Sequence, residues 1–278
     1  MNSDSLQAPT LAEELSALEN QIRAQPDNAD LRAQLFQLLV LLGDWSRAET
    51  QLKVCYSLNP KADSLMREYA AALKAEAART AVFAGLANPG LPDDAPLWLS
   101  QLADALQQEV RGQYAHASAL REQAWAAAPV QGGTLTTHAD STPQRFDWVA
   151  DGDNRFGPVL ELLVGEDYVW LPFSHVSSLR IAAPAARCDL AWARAALSLH
   201  DGSERAVLIP ARYPIPANKP ADACLQARLT EWQPLADSGH YFGLGQRMWA
   251  TDATEYALLD IEVLHTLPEA ANEVLTDA

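Results

Sequence analysis

Hydrophobic residues in the first half of the chain recur at helical spacing. Leucines, with an isoleucine at 22 and a valine at 110, recur three or four positions apart and form stripes over 11–22, 31–42 and 99–110. This period puts apolar side chains on one face of a helix. The pattern predicts six helices, at about 9–24, 28–42, 45–57, 61–84, 97–110 and 113–127.

The spacing of apolar residues changes to about two after residue 144, which is typical of strands. Asp201-Gly202-Ser203 between two apolar runs is a hairpin signal, and a helical turn is expected near 185–195. We expect about seven to nine mostly antiparallel strands in a curved sheet or partial barrel. The runs that suggest strands are 146–149, 159–164, 168–171, 178–181, 197–200, 206–209, 227–232, 241–249 and 257–264.

This change of period divides the chain, and 278 residues are enough for two domains. The predicted fold class is α+β, with an N-terminal helical domain followed by a mostly antiparallel β domain. The expected ranges are a helical repeat domain at 1–130, a linker rich in glycine, serine and threonine at 131–144, a β-rich domain at 145–268 and a tail at 269–278.

A repeat of 34 residues organises the helical half. Pro26 and Pro60 are 34 residues apart, and Pro129 follows after another 69. At identical offsets, Gly43, Trp45, Ala48 and Cys55 before Pro60 match Gly112, Tyr114, Ala117 and Ala124 before Pro129. This spacing resembles the tetratricopeptide repeat, in which glycine ends the first helix, small residues allow close crossing and proline ends the second. The alternative is a plain helical bundle that shares prolines by chance.

Stacked helix pairs leave a concave face that often holds a peptide or helix of a partner. On the first helix of the best repeat, the candidates for partner binding are Arg32, Phe36, Gln37 and Val40. The alternative for the apolar pair is that they only face neighbouring repeats.

The net charge of −16 narrows the class of partner. Such a surface repels phosphate backbones and anionic lipid heads, so neither nucleic acid nor a membrane is expected to bind. Cys55, Cys188 and Cys224 form no CxxC motif and are expected to be reduced thiols. The first ten residues lack the pattern of a signal peptide, so we expect a cytoplasmic protein.

Motifs for chemistry are weak. Asp151-Gly152-Asp153 resembles a calcium loop, but the twelfth position is Leu162, where a glutamate is needed. Gly243-Leu244-Gly245 lacks the third glycine of a nucleotide loop, and the six histidines are scattered. We therefore predict no metal, no cofactor and no catalytic residue. The carboxylates that an acid/base site would have to bring together are Glu161, Glu231, Asp252, Glu255 and Asp260.

Four ordered blocks in the second half carry a family resemblance. They are 146–158 (FDWVADGDNRFGP), 207–214 (VLIPARYP), 230–232 (TEW) and 243–252 (GLGQRMWATD). The chain resembles the ImpE/SciE/TagJ family of type VI secretion accessory proteins from about residue 10 to 266. The motif residues are Trp148, Asp151, Asp153, Arg155, Arg212, Glu231, Trp232, Gln246, Arg247 and Asp252.

The resemblance implies a non-catalytic adaptor. Its partner would be the small sheath subunit, bound through a helix of that subunit, and its role would be linked to sheath recycling by a Clp-type AAA+ ATPase. We expect Trp148, Trp232 and Trp249 to be core residues rather than binding hot spots. The motif arginines either pair with nearby aspartates or present charge to a partner. The competing functions are a ligand-sensing or hydrolytic β domain with a helical docking arm, and a structural dimer.

Overall fold

The computed structural model describes residues 8–268 and contains the six expected helices. Each begins and ends within two residues of the expected position, so the helix predictions are confirmed. A short seventh helix lies among the strands. The helices are α1 (Leu11–Ala24), α2 (Ala29–Leu41), α3 (Trp45–Leu58), α4 (Asp63–Phe83), α5 (Leu97–Val110), α6 (Tyr114–Ala127) and α7 (Asp222–Leu225).

Local side chains define where the first helices start. Thr10 and Glu13 form a reciprocal capping box at α1, with the Glu13 amide 3.2 Å from the Thr10 hydroxyl. Asn28 accepts hydrogen bonds from two backbone amides at the start of α2. Gly43 and Gly112, which end α2 and α5, have φ angles of 65° and 76°. This left-handed conformation confirms the helix-ending role expected from the repeat pattern.

Thirteen strands follow within the described residues, more than expected. They are β1 (Gly133–Thr137), β2 (Gln144–Phe146), β3 (Val149–Asp151), β4 (Val159–Val164), β5 (Asp167–Pro172), β6 (Val176–Ile181), β7 (Trp192–Leu199), β8 (Glu204–Pro210), β9 (Thr230–Pro234), β10 (Tyr241–Gly245), β11 (Met248–Thr251), β12 (Glu255–Ala257) and β13 (Ile261–Thr266). Eight of them form one sheet in the order β2-β1-β13-β6-β7-β8-β4-β5. A three-stranded sheet (β12-β11-β3) and a two-stranded sheet (β10-β9) complete the set.

All pairs between these strands are antiparallel, which confirms the predicted fold class. The large sheet is open, because β2 and β5 each have only one neighbouring strand. Several predicted strands are broken in two. The run 146–149 spans the end of β2 and the start of β3, 241–249 is split into β10 and β11, and 257–264 contains a 3-10 turn at Leu258–Asp260. The expected strand at 227–232 starts only at Thr230, after a left-handed Ala227 (φ 53°).

The expected linker is part of the sheet. Residues 131–144 contain β1, which pairs with β13 over 133–137 and with β2 over 133–135. The chain divides into compact units after Ala70 rather than after residue 130. The first unit holds α1, α2 and α3. The second holds most of α4, together with α5, α6 and every strand. Its helices pack on the β region: the Phe83 ring of α4 is 5.8 Å from the Phe156 ring, and the Trp125 ring of α6 is 5.1 Å from the His240 ring. The expected tail at 269–278 lies outside the described residues.

The second unit is built on one large apolar core. Inward-facing residues of the eight-stranded sheet and of β11 meet there with Phe173, which follows β5 in a 3-10 turn. Leu160, Phe173, Leu179, Ile209 and Trp249 are all 0% exposed. The rings of Phe173 and Trp249 are 5.1 Å apart in an edge-to-face arrangement. None of the helices within 8–268 is long and apolar enough to span a bilayer.

Candidate functional site

Most of the charged motif residues converge in the second unit and are buried. Four carboxylates and four guanidinium groups, each at most 8% exposed, lie between the second half of α4 and the strands. We call this set the buried charge cluster. It consists of Glu76, Arg79, Asp151, Asp153, Arg155, Glu161, Arg212 and Arg247.

Arg79 and Glu161 join α4 to the large sheet. The Arg79 Nε and Nη2 donate to the two Glu161 carboxylate oxygens at 2.8 and 3.0 Å, and Nη2 also donates to the Arg212 carbonyl at 2.9 Å. This bidentate geometry is the strongest form of a guanidinium–carboxylate contact. One turn earlier on α4, Glu76 accepts from the Trp192 indole at 3.0 Å.

Arg247 is the central cation of the cluster. It pairs with both Asp151 and Glu161, and its Nε donates to the Pro210 carbonyl at 2.9 Å. The guanidinium also lies over two rings, 4.9 Å from the Phe156 centroid and 5.0 Å from that of Tyr213. Arg247 lies between β10 and β11, and its backbone amide donates to the Ala211 carbonyl at 2.9 Å.

Asp153 and Arg155, in the loop between β3 and β4, form a second ion pair of the buried charge cluster. Arg155 donates to Asp153 through Nε at 2.9 Å and through Nη2 at 2.6 Å. Asp153 also accepts the backbone amide of Gly243 at 2.9 Å, which ties the loop to β10. The Arg155 guanidinium is 4.8 Å from the centroid of Phe242 and 5.0 Å from that of Phe83 on α4.

Burial changes the acidity of the cluster. The pKa of Asp151 rises to about 6, mainly because burial disfavours the charged form and also because Asp153 is near, while Arg247 opposes the shift. Burial lowers the pKa of Arg212 to about 10. It also raises the pKa of Tyr213, whose hydroxyl donates to Asp151 at 3.0 Å. These groups are enclosed and bonded to one another, so the arrangement is suited to holding elements together rather than to attacking a substrate.

The resemblance to a calcium loop has a structural explanation. Asp151 accepts the Asp153 amide at 2.9 Å, and Asp153 accepts the Arg155 amide at the same distance. These are the turn contacts that short acidic side chains make with their own backbone. The same two carboxylates are also paired with arginines, Asp151 with Arg247 and Asp153 with Arg155. Within 8–268, no group of three histidine, cysteine or carboxylate residues is arranged to hold a metal ion.

The four sequence blocks at 146–158, 207–214, 230–232 and 243–252 lie within a region that matches a known protein family. A family model described as ImpE protein matches residues 143–265. A Pseudomonas aeruginosa protein, the type VI secretion system accessory component TagJ, is 42% identical over 266 residues, which cover 96% of this chain and 91% of TagJ. The chain belongs to the ImpE family.

A solved member of the same fold supports the architecture of this ImpE-family chain. The crystal structure of protein VPA1032 from Vibrio parahaemolyticus matches with a TM-score of 0.83 at 25% identity. The match covers 94% of this chain and 95% of that protein. The α+β arrangement is therefore shared with an experimentally determined structure.

The remaining motif residues of this ImpE-family chain do not join the cluster. Trp249 is a core residue, as expected, but Trp148 and Trp232 are 39% and 37% exposed, so their assignment to the core was wrong. Glu231 and Gln246 are half-buried. Asp252 is exposed and accepts the Asp147 amide at 2.8 Å.

The two alternatives for the motif arginines are also separated by the structure. Arg155 and Arg247 pair with Asp153 and Asp151, which favours the loop-locking role. Arg212 is buried and donates to the Leu225 carbonyl. Of the carboxylates considered for acid/base chemistry, only Glu161 is buried; Asp252, Glu255 and Asp260 are exposed.

The expected partner-binding residues fall into two classes. Phe36 and Val40 are 3% and 0% exposed, so they offer no surface, and Phe36 packs 5.2 Å from the Tyr69 ring. This corrects their assignment, since apolar side chains of α2 are used in packing. Arg32 and Gln37 are half-buried, and Arg32 donates to the Gln51 side chain at 3.1 Å.

Sequence reasoning missed the contribution of α4. Glu76 and Arg79 lie in an alanine-rich helix with no motif around them. Two opposite charges three residues apart among alanines are a weak signal of a buried pair, since the same spacing is common on exposed helix faces. Glu161 gave a clearer signal, because it interrupts the apolar run 159–164.

Proposed function

We propose that this chain is an accessory component of a type VI secretion system and acts as a non-catalytic adaptor. The supporting observation is its 42% identity to TagJ across 96% of the chain. An identity that spans nearly all of both proteins favours a shared role as well as a shared fold.

The buried charge cluster favours an adaptor over an enzyme. Acid/base catalysis needs a titratable group within reach of a substrate. Asp153 and Glu161, the most buried carboxylates of the cluster, are 0% exposed and bonded to arginines. Because these carboxylates are paired with Arg79 and Arg155, they are suited to holding a protein-binding domain in one conformation.

We infer that the chain binds the small sheath subunit through an amphipathic helix of that subunit, in the cytoplasm, and modulates sheath recycling by the Clp-type AAA+ ATPase. Antiparallel helix pairs are suited to receiving such a helix. The pair α2–α3 in the first unit offers half-buried Arg32 and Gln37, and Tyr56 on α3 is 47% exposed.

The test is a binding measurement with purified proteins. The full chain is titrated against the small sheath subunit, and against the same subunit lacking its helical segment. Binding that is lost with the segment supports the proposal. Binding that persists without the segment excludes the helix model, and no binding to either form excludes the sheath subunit as the partner.

A separate arm addresses the ATPase. The Clp-type ATPase is titrated alone and with the preformed complex of this chain and the sheath subunit. A tighter association of ATPase with sheath subunit when this chain is present supports the modulatory role. An unchanged association contradicts that role without affecting the sheath-binding proposal.

A further inference from the structure

The two-stranded sheet β9–β10 has one satisfied edge and one open edge. On β10, Tyr241 and Gly243 donate outward to the Asn154 and Asp153 side chains at 2.7 and 2.9 Å. Directly before β9, the Leu229 carbonyl accepts the Gln246 amide at 3.0 Å, so the backbone groups of residue 229 point toward the β10 side. Because backbone groups alternate along a strand, 231 and 233 also face β10, whereas 230, 232 and 234 face outward.

The outward backbone groups of β9 have no partners in the described part of the chain. Thr230 and Trp232 each present an amide and a carbonyl, and Pro234 presents only a carbonyl. Residues 232–234 are exposed. An edge of this kind is a template for another strand, and a proline at its end limits how far pairing extends.

Aromatic side chains accompany this open edge. Trp232 is 37% exposed and Tyr241, diagonal to it in the hairpin, is 49% exposed. The Trp232 ring packs closely on Gly152, where an added Cβ would lie 2.8 Å from the ring. The centroid of the Tyr213 ring is 5.7 Å from that of Trp232. An exposed but fixed tryptophan is a suitable anchor for a binding partner.

The geometry points to β9 as a site of strand addition, which accepts an extended segment of another protein in which apolar residues alternate with basic ones. The backbone groups at 230 and 232 require a partner that presents its own unpaired amides and carbonyls, and a helix has none along its length. The net charge of −16 favours a basic segment and disfavours a second copy of this chain. This surface is separate from the helix-binding role proposed above.

The test uses a synthetic peptide of alternating lysine and valine, with hydrogen exchange of the fragment containing residues 230–234 as the readout. We expect the peptide to slow exchange at the Thr230 and Trp232 amides by tenfold or more, with no effect on the already paired amides of 231 and 233. Two control peptides, the same peptide N-methylated at alternate residues and a glutamate–valine peptide, accompany it, together with the Trp232→Ala variant of the protein.

Loss of protection with the N-methylated peptide and weakened protection in Trp232→Ala support strand addition at this edge. The inference is overturned if millimolar peptide leaves both amides unprotected, or if the N-methylated peptide protects them equally. Protection that appears without peptide and grows with protein concentration assigns the edge to a second copy. Equal protection by the glutamate–valine peptide removes the basic specificity. Trp148→Ala, which alters the other exposed tryptophan, is the matched control for loss of an aromatic surface residue.

Discussion

Arg79 of α4 and Glu161 of β4, 82 positions apart in the chain, form a bidentate ion pair with N–O distances of 2.8 and 3.0 Å. Their side chains are 6% and 0% exposed. Removing both charges from water is costly, and the pair offsets this cost only while both partners are present. The contact therefore favours the one placement of Arg79 in α4 against β4 in which both charges are paired.

Removing one partner of this pair should destabilise the second unit. We expect Arg79→Ala to lower its free energy of unfolding by about 3–5 kcal/mol, because Glu161 and Glu76 are left buried with less compensation. Urea unfolding followed by tryptophan fluorescence measures this, since seven of the eight tryptophans lie beyond residue 70.

An exposed ion pair between α4 and the same region is the matched control. Lys74 and Glu166 are 2.6 Å apart, but their side chains are 62% and 60% exposed. Lys74→Ala should cost less than about 1 kcal/mol, because solvent screens the pair. Similar losses for the two variants would show that burial of the Arg79 pair has no special energetic role.

The helices could be predicted from the sequence because their signals are local. Leucine spacing, the Thr10–Glu13 capping box and the glycines at 43 and 112 all act within a few residues of the ends that they define. The strand limits were predicted less well, because several are set by distant contacts. The break at 246–247, for example, falls where Arg247 is buried beside Asp151, 96 positions away in the chain.

The candidate site was predicted only in part for the same reason. The motif blocks pointed to Asp151, Asp153, Arg155 and Arg247, which do meet in the structure. Their connection to α4 depends on Arg79, whose local sequence is a run of alanines without a visible partner. The exposure of the tryptophan side chains could not be predicted from the sequence either, because nothing in the hydrophobic pattern distinguishes the buried Trp249 from the exposed Trp232.

The pH dependence of stability should show the raised pKa of Asp151. Its pKa is about 6 in the folded protein and 3.8 in the reference state, so the folded chain holds a proton between about pH 4 and 6 that the unfolded chain has released. Its contribution to stability is thus present below pH 3.8 and is lost as the pH rises through about 6.

Comparison with Asp151→Asn isolates this contribution. The unfolding free energy of the native chain minus that of the variant should fall by up to about 3 kcal/mol between pH 4 and 6.5, and then stay level. The measurement is urea unfolding at a series of pH values. A difference that instead rises with pH would show that the attraction of Arg247 outweighs the cost of burial.

Gly157 should tolerate no side chain, since its φ angle is +60° and a Cβ would lie 2.5 Å from the Trp125 Nε1. We expect Gly157→Ala to lower the free energy of unfolding by about 2–4 kcal/mol, from the left-handed backbone and from the steric conflict together. Gly165 has the same φ angle with no atom within 4 Å of a Cβ, so Gly165→Ala should cost only about 1 kcal/mol. If the two variants lost the same free energy of unfolding in urea, the steric conflict with Trp125 would not contribute to the loss.

Charge reversal on α2 tests the proposed helix-binding surface of the first unit. Arg32→Glu combined with Gln37→Glu should weaken binding to the small sheath subunit by tenfold or more, because acidic groups replace a cation and a neutral amide at an interface. Both side chains are only half-buried, so thermal unfolding should change little. The matched control is Arg205→Glu combined with Gln144→Glu, which makes the same charge change at exposed positions of the second unit. Equal weakening by the control would indicate a general effect of net charge, and unchanged affinity in both variants would place the binding surface away from α2.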